Sequence, residues 1–161
     1  MYQFAISTHV IWGDNKYQKL ISLYTSKEFK RILIIADSGI STNPQIIKIR
    51  SFLNENGYDV CDICTPNISS EPTYDDLDSL SEEVKQTNPD MIIGIGGGTI
   101  LDLAKGVSVL MTNKGKGVSY RGMNKVGTEP LTYIAIPTTA GTGSEVTWTA
   151  AFIDNVDKKA Y

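Results

Sequence analysis

The feature that most constrains the fold is a run of three glycines, residues 96–98, between an apolar segment and a helix-start signal. The apolar residues 91–95 predict a buried strand, and Thr99-x-x-Asp102 predicts a helix that begins directly after the glycines. Glycine lets a ligand approach the backbone closely, and the N-terminus of a helix attracts anions. The pattern therefore predicts a phosphate-binding turn, with a tight strand–helix connection as the alternative.

Two familiar nucleotide-binding motifs do not fit this segment. The motif G-x-G-x-x-G, counted from Gly94, has Thr99 at its last position, and it is expected after the first strand of a domain rather than near residue 90. The P-loop motif requires a Gly-Lys-Ser/Thr sequence that does not follow the glycines. We therefore predict a nucleotide site of neither kind.

The residues after the glycines repeat apolar side chains at the three-and-four spacing of one buried helix face. This face consists of Ile100, Leu103, Ala104, Val107, Leu110 and Met111. Asp102 lies off the stripe in the first predicted turn, where a carboxylate can cap the helix or accept hydrogen bonds from a ligand. The two roles are compatible, and the sequence leaves both open.

A second polar loop follows another predicted strand, residues 133–136. Residues 137–145 hold two glycines and four hydroxyl side chains, which are Thr138, Thr139, Thr142 and Ser144. Hydroxyls and exposed N–H groups can bind a phosphate or a ribose without Lys or Arg, although such residues also populate ordinary loops. Because ligands of parallel sheets gather at the carboxyl ends of the strands, two such loops favour a shared site.

A third strand ends in the same way. Residues 31–36 form the clearest apolar strand of the chain, and Asp37-Ser-Gly39 follows it. A carboxylate at this position can accept hydrogen bonds from both hydroxyls of a ribose and would repel a 2′-phosphate. The alternative for Asp37 is a turn or N-cap residue.

The chain alternates predicted strands and helices along most of its length. After an N-terminal strand region, we predict strands at 32–36, 58–63, 91–95 and 133–136, and helices at 44–56, 74–87 and 99–112. Residues 113–131 are predicted to be mostly a long loop. Such alternation predicts one α/β domain over residues 1–161, with a Rossmann-like parallel sheet covered by helices on both faces.

Composition excludes several classes of function. The net charge of −3 argues against a nucleic-acid partner, and the absence of a long apolar run or of an export signal argues against a membrane partner. We therefore expect a cytoplasmic protein. Cys61 and Cys64 form a single C-x-x-C within a predicted strand, which favours reduced structural thiols over a zinc site.

The glycine run with Asp102 and Lys105, together with the loop at 137–145, resembles the iron-containing (group III) alcohol dehydrogenase family. Residues 10–13 resemble its opening strand, and Asp37-Ser-Gly39 resembles its ribose-binding turn. The resemblance implies the N-terminal half of a dehydroquinate synthase-like fold. It also implies that NAD, rather than NADP, is bound by Asp37, Gly97, Gly98, Thr99, Asp102, Thr138, Thr139, Thr142 and Ser144.

The resemblance also implies what this chain lacks. The family holds its metal with one aspartate and three histidines in a helical second half, whereas this chain has a single histidine, His9. A catalytic Fe²⁺ or Zn²⁺ is therefore expected only in the missing C-terminal half, with no catalytic or metal-binding residue here. Glu71-Pro72 replaces the Asn-Pro of the family, and Thr99 replaces its serine.

The expected function is that of the cofactor-binding half of a metal-dependent alcohol dehydrogenase. The full-length enzyme would transfer hydride between a small alcohol or aldehyde and the nicotinamide, either as a monomer or as a homodimer, whereas this chain alone would be inactive. The alternative is a free-standing nucleotide-binding module without catalysis.

Overall fold

The structure is a computed structural model that describes residues 8–19, 29–40, 42–65 and 71–160. Its centre is a parallel sheet of four strands, with three helices of three or more turns in the described part. In chain order, the elements are β1 (Arg31–Asp37), α1 (Pro44–Glu55), β2 (Asp59–Thr65), α2 (Tyr74–Thr87), β3 (Met91–Gly96), α3 (Gly98–Thr112), a 3₁₀ turn (Gly117–Tyr120), β4 (Thr132–Pro137), β5 (Ile153–Asp154) and β6 (Lys159–Ala160).

The strand order of the sheet is β2-β1-β3-β4, and every neighbouring pair is parallel. The register places Leu33 of β1 opposite Cys61 of β2 and Ile92 of β3. The chain thus moves outward from β1 to β2 and crosses back to β3. This reversal makes the gap between the carboxyl ends of β1 and β3 the switch point at which such sheets bind ligands.

The two faces of the sheet form two separate cores. Leu33, Ile35 and Ile92 pack with α2 and α3 on one face, and Ile32 and Ile34 pack with α1 on the other. All five side chains are at most 1% exposed, as expected for strands that are covered on both sides. The predicted α/β fold, with helices on both faces, is confirmed.

Local signals position the helices as predicted. Thr73 caps α2 through a reciprocal capping box, in which Asp76 N–H donates to Thr73 Oγ1 at 3.1 Å and Thr73 N–H donates to Asp76 Oδ2 at 2.8 Å. The helix ends at Asn88, whose φ of 45° is left-handed. Asn43 caps α1 by accepting a hydrogen bond from Gln45 N–H at 2.9 Å.

The apolar stripe on α3 is confirmed, because five of its six predicted residues are buried and Met111 is partly buried against them. The predicted position of Asp102 in the first turn, with its capping role, was wrong. The helix begins at Gly98, with Gly97 as its N-cap, so Asp102 lies beyond the first turn and does not cap the helix. Its side chain also lies on a covered face, and the residue is 8% exposed. The physical reason is that residues 144–151 cover this side of α3.

The predicted N-terminal strand is not observed in the described residues. Residues 10–13 have no strand assignment, and Trp12 is 93% exposed. Within the described part of the chain, no strand lies beside this segment to pair with it, and its tie to the rest of the domain is the hydrogen bond from Thr8 Oγ1 to Val146 O. His9 is exposed, as expected for a surface residue.

The long loop at 113–131 is confirmed, apart from the single 3₁₀ turn. Asn113 holds it, because its side-chain oxygen accepts hydrogen bonds from Gly127 N–H at 3.2 Å and Thr128 N–H at 2.9 Å. The side-chain nitrogen of Asn113 in turn donates to Thr128 O at 2.9 Å. The buried side-chain amide of Asn113, at the end of α3, therefore holds a loop that has little regular secondary structure.

The amino ends of β1 and β3 are joined by Asp90. Its Oδ2 accepts hydrogen bonds from the backbone N–H groups of Lys30 and Arg31, each at 2.8 Å. These bonds, first that from Arg31 and then that from Lys30, lower the pKa of Asp90 below its ordinary value. Such a carboxylate stabilises the fold when it is ionised.

Asp90→Ala should lower the free energy of unfolding by about 1–2 kcal/mol at pH 7, because it leaves two backbone N–H groups without their acceptor in a partly exposed site. The native-state pKa is depressed, so this contribution is present above the unfolded value of about 4 and is lost as the pH falls through the native value. Urea unfolding at pH 7 and at pH 3 measures it. Asp59→Ala is the control, because its ion pair with Arg31 is solvent exposed and its loss should matter less. An equal deficit for Asp90→Ala at both pH values would contradict the prediction.

Candidate cofactor-binding site

Residues 96–98, here called the glycine turn, lie at the carboxyl end of β3, beside the switch point. Gly97 is the N-cap of α3 with extended backbone (φ −77°, ψ −176°), and no side chain caps the helix there. The first N–H groups of an α-helix have no partner within the helix. They lie at the place where the helix dipole favours an anion.

Residues 137–145, here called the threonine loop, pack directly on this turn. A Cβ atom at Gly97 would lie 3.1 Å from Thr139 Oγ1, and one at Gly98 would lie 2.8 Å from Thr142 Cγ2. Thr138 N–H also donates to Gly96 O at 2.9 Å. The structure therefore brings together the two loops that the sequence predicted to share a site. The close approach, rather than the backbone conformation, favours glycine at both positions, since neither has a positive φ.

Two further glycines, Gly94 and Gly96, allow α3 to pack closely on β3. A Cβ atom at Gly94 would lie 2.8 Å from Ala104 Cβ, and one at Gly96 would lie 2.6 Å from Ile100 Cβ. Side chains at these positions would push α3 away from β3. The glycine pattern thus allows close packing at four positions, against α3 at 94 and 96 and against the threonine loop at 97 and 98.

Asp37 lies across the switch point from the glycine turn. It ends β1, one step beyond the pairing of Ala36 with Ile95 of β3. Its Oδ1 accepts a hydrogen bond from Gly39 N–H at 2.7 Å, so the carboxylate shapes its own turn. The residue is partly exposed at the carboxyl edge of the sheet. This geometry is compatible with both roles that the sequence left open.

Asp102 of α3 and Ser144 of the threonine loop are in direct contact. Ser144 Oγ donates to Asp102 Oδ1 at 2.9 Å, and Ala151 N–H donates to Asp102 Oδ2 at 3.2 Å. Asp102 is 8% exposed and Ser144 is 7% exposed. Both residues thus fasten the loop to α3, and their contact with a cofactor stays a prediction. Thr99, in the first turn of α3, is partly exposed beside the glycines.

Lys105 is the site residue that sequence reasoning missed. Its Nζ donates to Thr149 O at 2.6 Å, to Ser144 O at 2.9 Å and to Thr147 Oγ1 at 3.2 Å, and it lies 3.5 Å from Asp102 Oδ1. The sequence signal for this arrangement is the three-residue spacing of Asp102 and Lys105, which puts opposite charges next to each other on one helix face.

Burial governs the electrostatics around Lys105. Desolvation lowers the pKa of Lys105, and the neighbouring carboxylates of Asp102 and Glu145 oppose that shift. Tyr133, which donates to Leu101 O at 3.0 Å, has its pKa raised by burial and by the same two carboxylates. The phenol is therefore a neutral hydrogen-bond donor that joins β4 to α3.

An open cavity of about 1070 Å³ adjoins the loop on the β4 side. Lys105 and Glu145 contribute charged groups to its wall, and Trp12, Met123 and Trp148 contribute exposed apolar surface. The glycine turn and Asp37 are not part of this cavity. It therefore lies beside the predicted diphosphate site, at the end away from β1.

The described residues do not fit a resident metal ion. They contain no group of three or more His, Cys, Asp or Glu side chains that could hold one. In the same part of the chain, no helix combines the length and apolarity needed to cross a bilayer.

The parallel sheet, its switch point and the glycine turn define the class of Rossmann-like α/β domains. The family model of iron-containing alcohol dehydrogenases matches residues 7–161, and the chain belongs to this family. It has the dehydroquinate synthase-like fold of its structural neighbours.

The relatives are longer proteins that are named as dehydrogenases. The chain is 40% identical over 146 residues to alcohol dehydrogenase 4 of Schizosaccharomyces pombe, a match that covers 89% of this chain and 34% of that protein. It is 32% identical over 129 residues to the NAD-dependent methanol dehydrogenase of Bacillus methanolicus, which covers 80% of this chain and 33% of that enzyme. The iron-containing alcohol dehydrogenase of Thermotoga maritima superimposes with a TM-score of 0.85 at 26% identity, over 99% of this chain and 44% of that structure. The chain thus spans about a third of the curated relatives described here.

Proposed function

We propose that this chain is the NAD-binding half of a metal-dependent alcohol dehydrogenase. The observation that carries the proposal is the contact between the glycine turn and the threonine loop at the switch point, where Thr139 faces Gly97 and Thr142 faces Gly98. Glycine backbone, threonine hydroxyls and a helix N-terminus together form an uncharged donor set that suits a diphosphate. The relative named as NAD-dependent supports NAD as the cofactor.

Each predicted residue has a place in this proposal. The diphosphate would bind at the glycine turn and the threonine loop, and Asp37 would accept hydrogen bonds from the ribose hydroxyls next to β1. The diphosphate contacts are Gly97, Gly98, Thr99, Thr138, Thr139 and Thr142. Asp102 and Ser144 complete the predicted set and hold the loop in place. When bound, NAD supplies the hydride acceptor of the reaction.

The order of the strands gives the cofactor a direction. Asp37 lies on the β1 side of the glycine turn and the threonine loop lies on the β4 side, so the nicotinamide end would point toward the cavity beside Trp148. An alcohol or aldehyde would then meet the nicotinamide on that side. The names of the relatives, which include alcohol and methanol dehydrogenases, support this substrate class.

We further propose that the metal, Fe²⁺ or Zn²⁺, belongs to residues outside the described part of the chain. The absence of a three-ligand cluster among the described residues supports this division, as does the small share of each relative that the chain covers. A second candidate is a nucleotide-binding module without catalysis, which the absence of a three-ligand cluster among the described residues also favours. The length of the encoding reading frame distinguishes the two, because a continuation with Asp and His ligands would make the protein an enzyme.

Asp37 should set the preference for NADH over NADPH, because its charge opposes a 2′-phosphate. Asp37→Asn keeps the acceptor for Gly39 N–H but removes the charge, and it should reduce the ratio of the two dissociation constants about tenfold. Calorimetric titration with both cofactors measures the ratio. Asp59→Asn, at the amino end of the sheet, is the control for net charge. An unchanged ratio in Asp37→Asn would remove Asp37 from the ribose role.

Gly97→Val should weaken NADH binding at least about tenfold, because a branched side chain would fill the space between the turn and Thr139. The fold should persist, since the backbone of Gly97 is extended and partly exposed. Gly127→Val is the matched control, because a Cβ atom there has no neighbour within 4 Å. Thermal melting verifies folding, and Gly97→Ala replaces the variant if it melts early. Normal binding by both substitutions at Gly97 would overturn the diphosphate assignment.

The 161-residue chain should bind NADH yet form none from NAD⁺ and small alcohols, because the residues that would activate the alcohol are assigned to the absent half. The assay follows absorbance of NADH with added Fe²⁺, Zn²⁺ or Mn²⁺, alongside metal analysis of the purified chain. Turnover above a protein-free blank, or stoichiometric bound metal, would show that the catalytic centre lies in this half.

A further inference from the structure

Two oppositely charged residues of α3, Asp102 and Lys105, form hydrogen bonds with the same segment of the chain. Asp102 and Lys105 both bind residues 144–151, which are here called the clamped segment. Their side chains are each 12% exposed, so the clamp lies largely out of water. Ion pairs and hydrogen bonds in such surroundings are less screened than those on a surface.

The ammonium group of Lys105 has no donor left for a ligand. It carries three N–H bonds, and three acceptors of the clamped segment lie within 3.2 Å, namely Thr149 O, Ser144 O and Thr147 Oγ1. Two of these acceptors are backbone carbonyls, so Lys105 fixes the position of the main chain at Ser144 and Thr149. A lysine beside a diphosphate site would ordinarily be assigned to the phosphates, and this geometry argues otherwise.

Asp102 completes the clamp from the other side. It accepts hydrogen bonds from Ser144 Oγ and Ala151 N–H, near the two ends of the clamped segment. The carboxylate of Glu145 also acts on Lys105, since its charge raises the pKa of the ammonium group. The removal of the Lys105 charge would leave the buried carboxylate of Asp102 without the cation that lies 3.5 Å from it.

We infer that Lys105 is a positioning residue that holds the clamped segment, and Trp148 within it, at the nicotinamide end of the cofactor site. The inference rests on the proposed function. Trp148 stands between Thr147 and Thr149, two of the residues that Lys105 holds, and its side chain is 70% exposed toward the cavity. The clamp therefore sets where the wall of that cavity lies relative to the glycine turn.

Energy transfer from Trp148 to bound NADH tests the inference. The chain has two tryptophans, so Trp12→Phe leaves Trp148 as the only donor. In that background, Lys105→Met should weaken NADH binding about tenfold and should lower the transfer efficiency even at saturating NADH. A merely structural role would not change the signal of the saturated complex. Lys48→Met, on an exposed face of α1, is the matched control and should change neither quantity.

The outcomes separate the inference from the proposed function. If neither the unaltered chain nor the Trp12→Phe chain binds NADH, the proposed function fails. If the Trp12→Phe chain binds NADH and Lys105→Met in that background gives the same affinity and the same transfer at saturation, only the clamp is overturned. If Lys105→Met does not fold, Thr147→Val takes its place, because it removes one acceptor and leaves the charges. It should lower the transfer at saturation, and an unchanged signal there would overturn the inference.

Discussion

The close contact between α3 and β3 is the constraint on which the rest of the structure depends. Side chains at Gly94 and Gly96 would place a Cβ atom 2.8 Å from Ala104 Cβ and 2.6 Å from Ile100 Cβ, so the helix can pack this closely only without them. This packing brings the uncapped start of α3 to the edge of the sheet, beside the switch point. A helix held farther away would move its N-terminal N–H groups away from the strand ends where a ligand gathers.

The same packing determines what covers the outer side of α3. The apolar stripe faces the sheet and α2, and the next face carries Asp102 and Lys105. A polar face at this depth has to be satisfied, because buried charges without partners are costly. The loop from 144 to 151 supplies those partners with two carbonyls, two hydroxyls and one N–H group. The loop is therefore ordered by its polar contacts with the helix it covers.

The sequence predicted the fold more completely than it predicted the site. Periodicity and capping signals located α2 to the residue, and the apolar runs located all four strands of the main sheet within two residues. Asp102 shows the limit, because helical spacing alone placed it in the first turn, off the apolar stripe, and did not show that its face is covered. Whether a face is covered depends on a loop 42 residues farther along the chain, which no local pattern reveals. Lys105 was missed for the same reason, because its spacing from Asp102 predicts only that pair, whereas its other partners, Ser144 O, Thr147 Oγ1 and Thr149 O, lie about 40 residues farther along the chain.

The geometry of α3 links the two loops of the site. Gly98, at the start of the helix, contacts Thr142, and Lys105, seven residues on, holds the loop at Ser144 and Thr149. At 1.5 Å per residue, these two fastenings are about 10 Å apart along one rigid helix. The separation between the glycine turn and the threonine loop is therefore fixed by helix geometry rather than by the flexibility of the loop. A ligand held in this crevice would meet donors whose spacing is set before it binds, which lowers the entropic cost of ordering the loop around it.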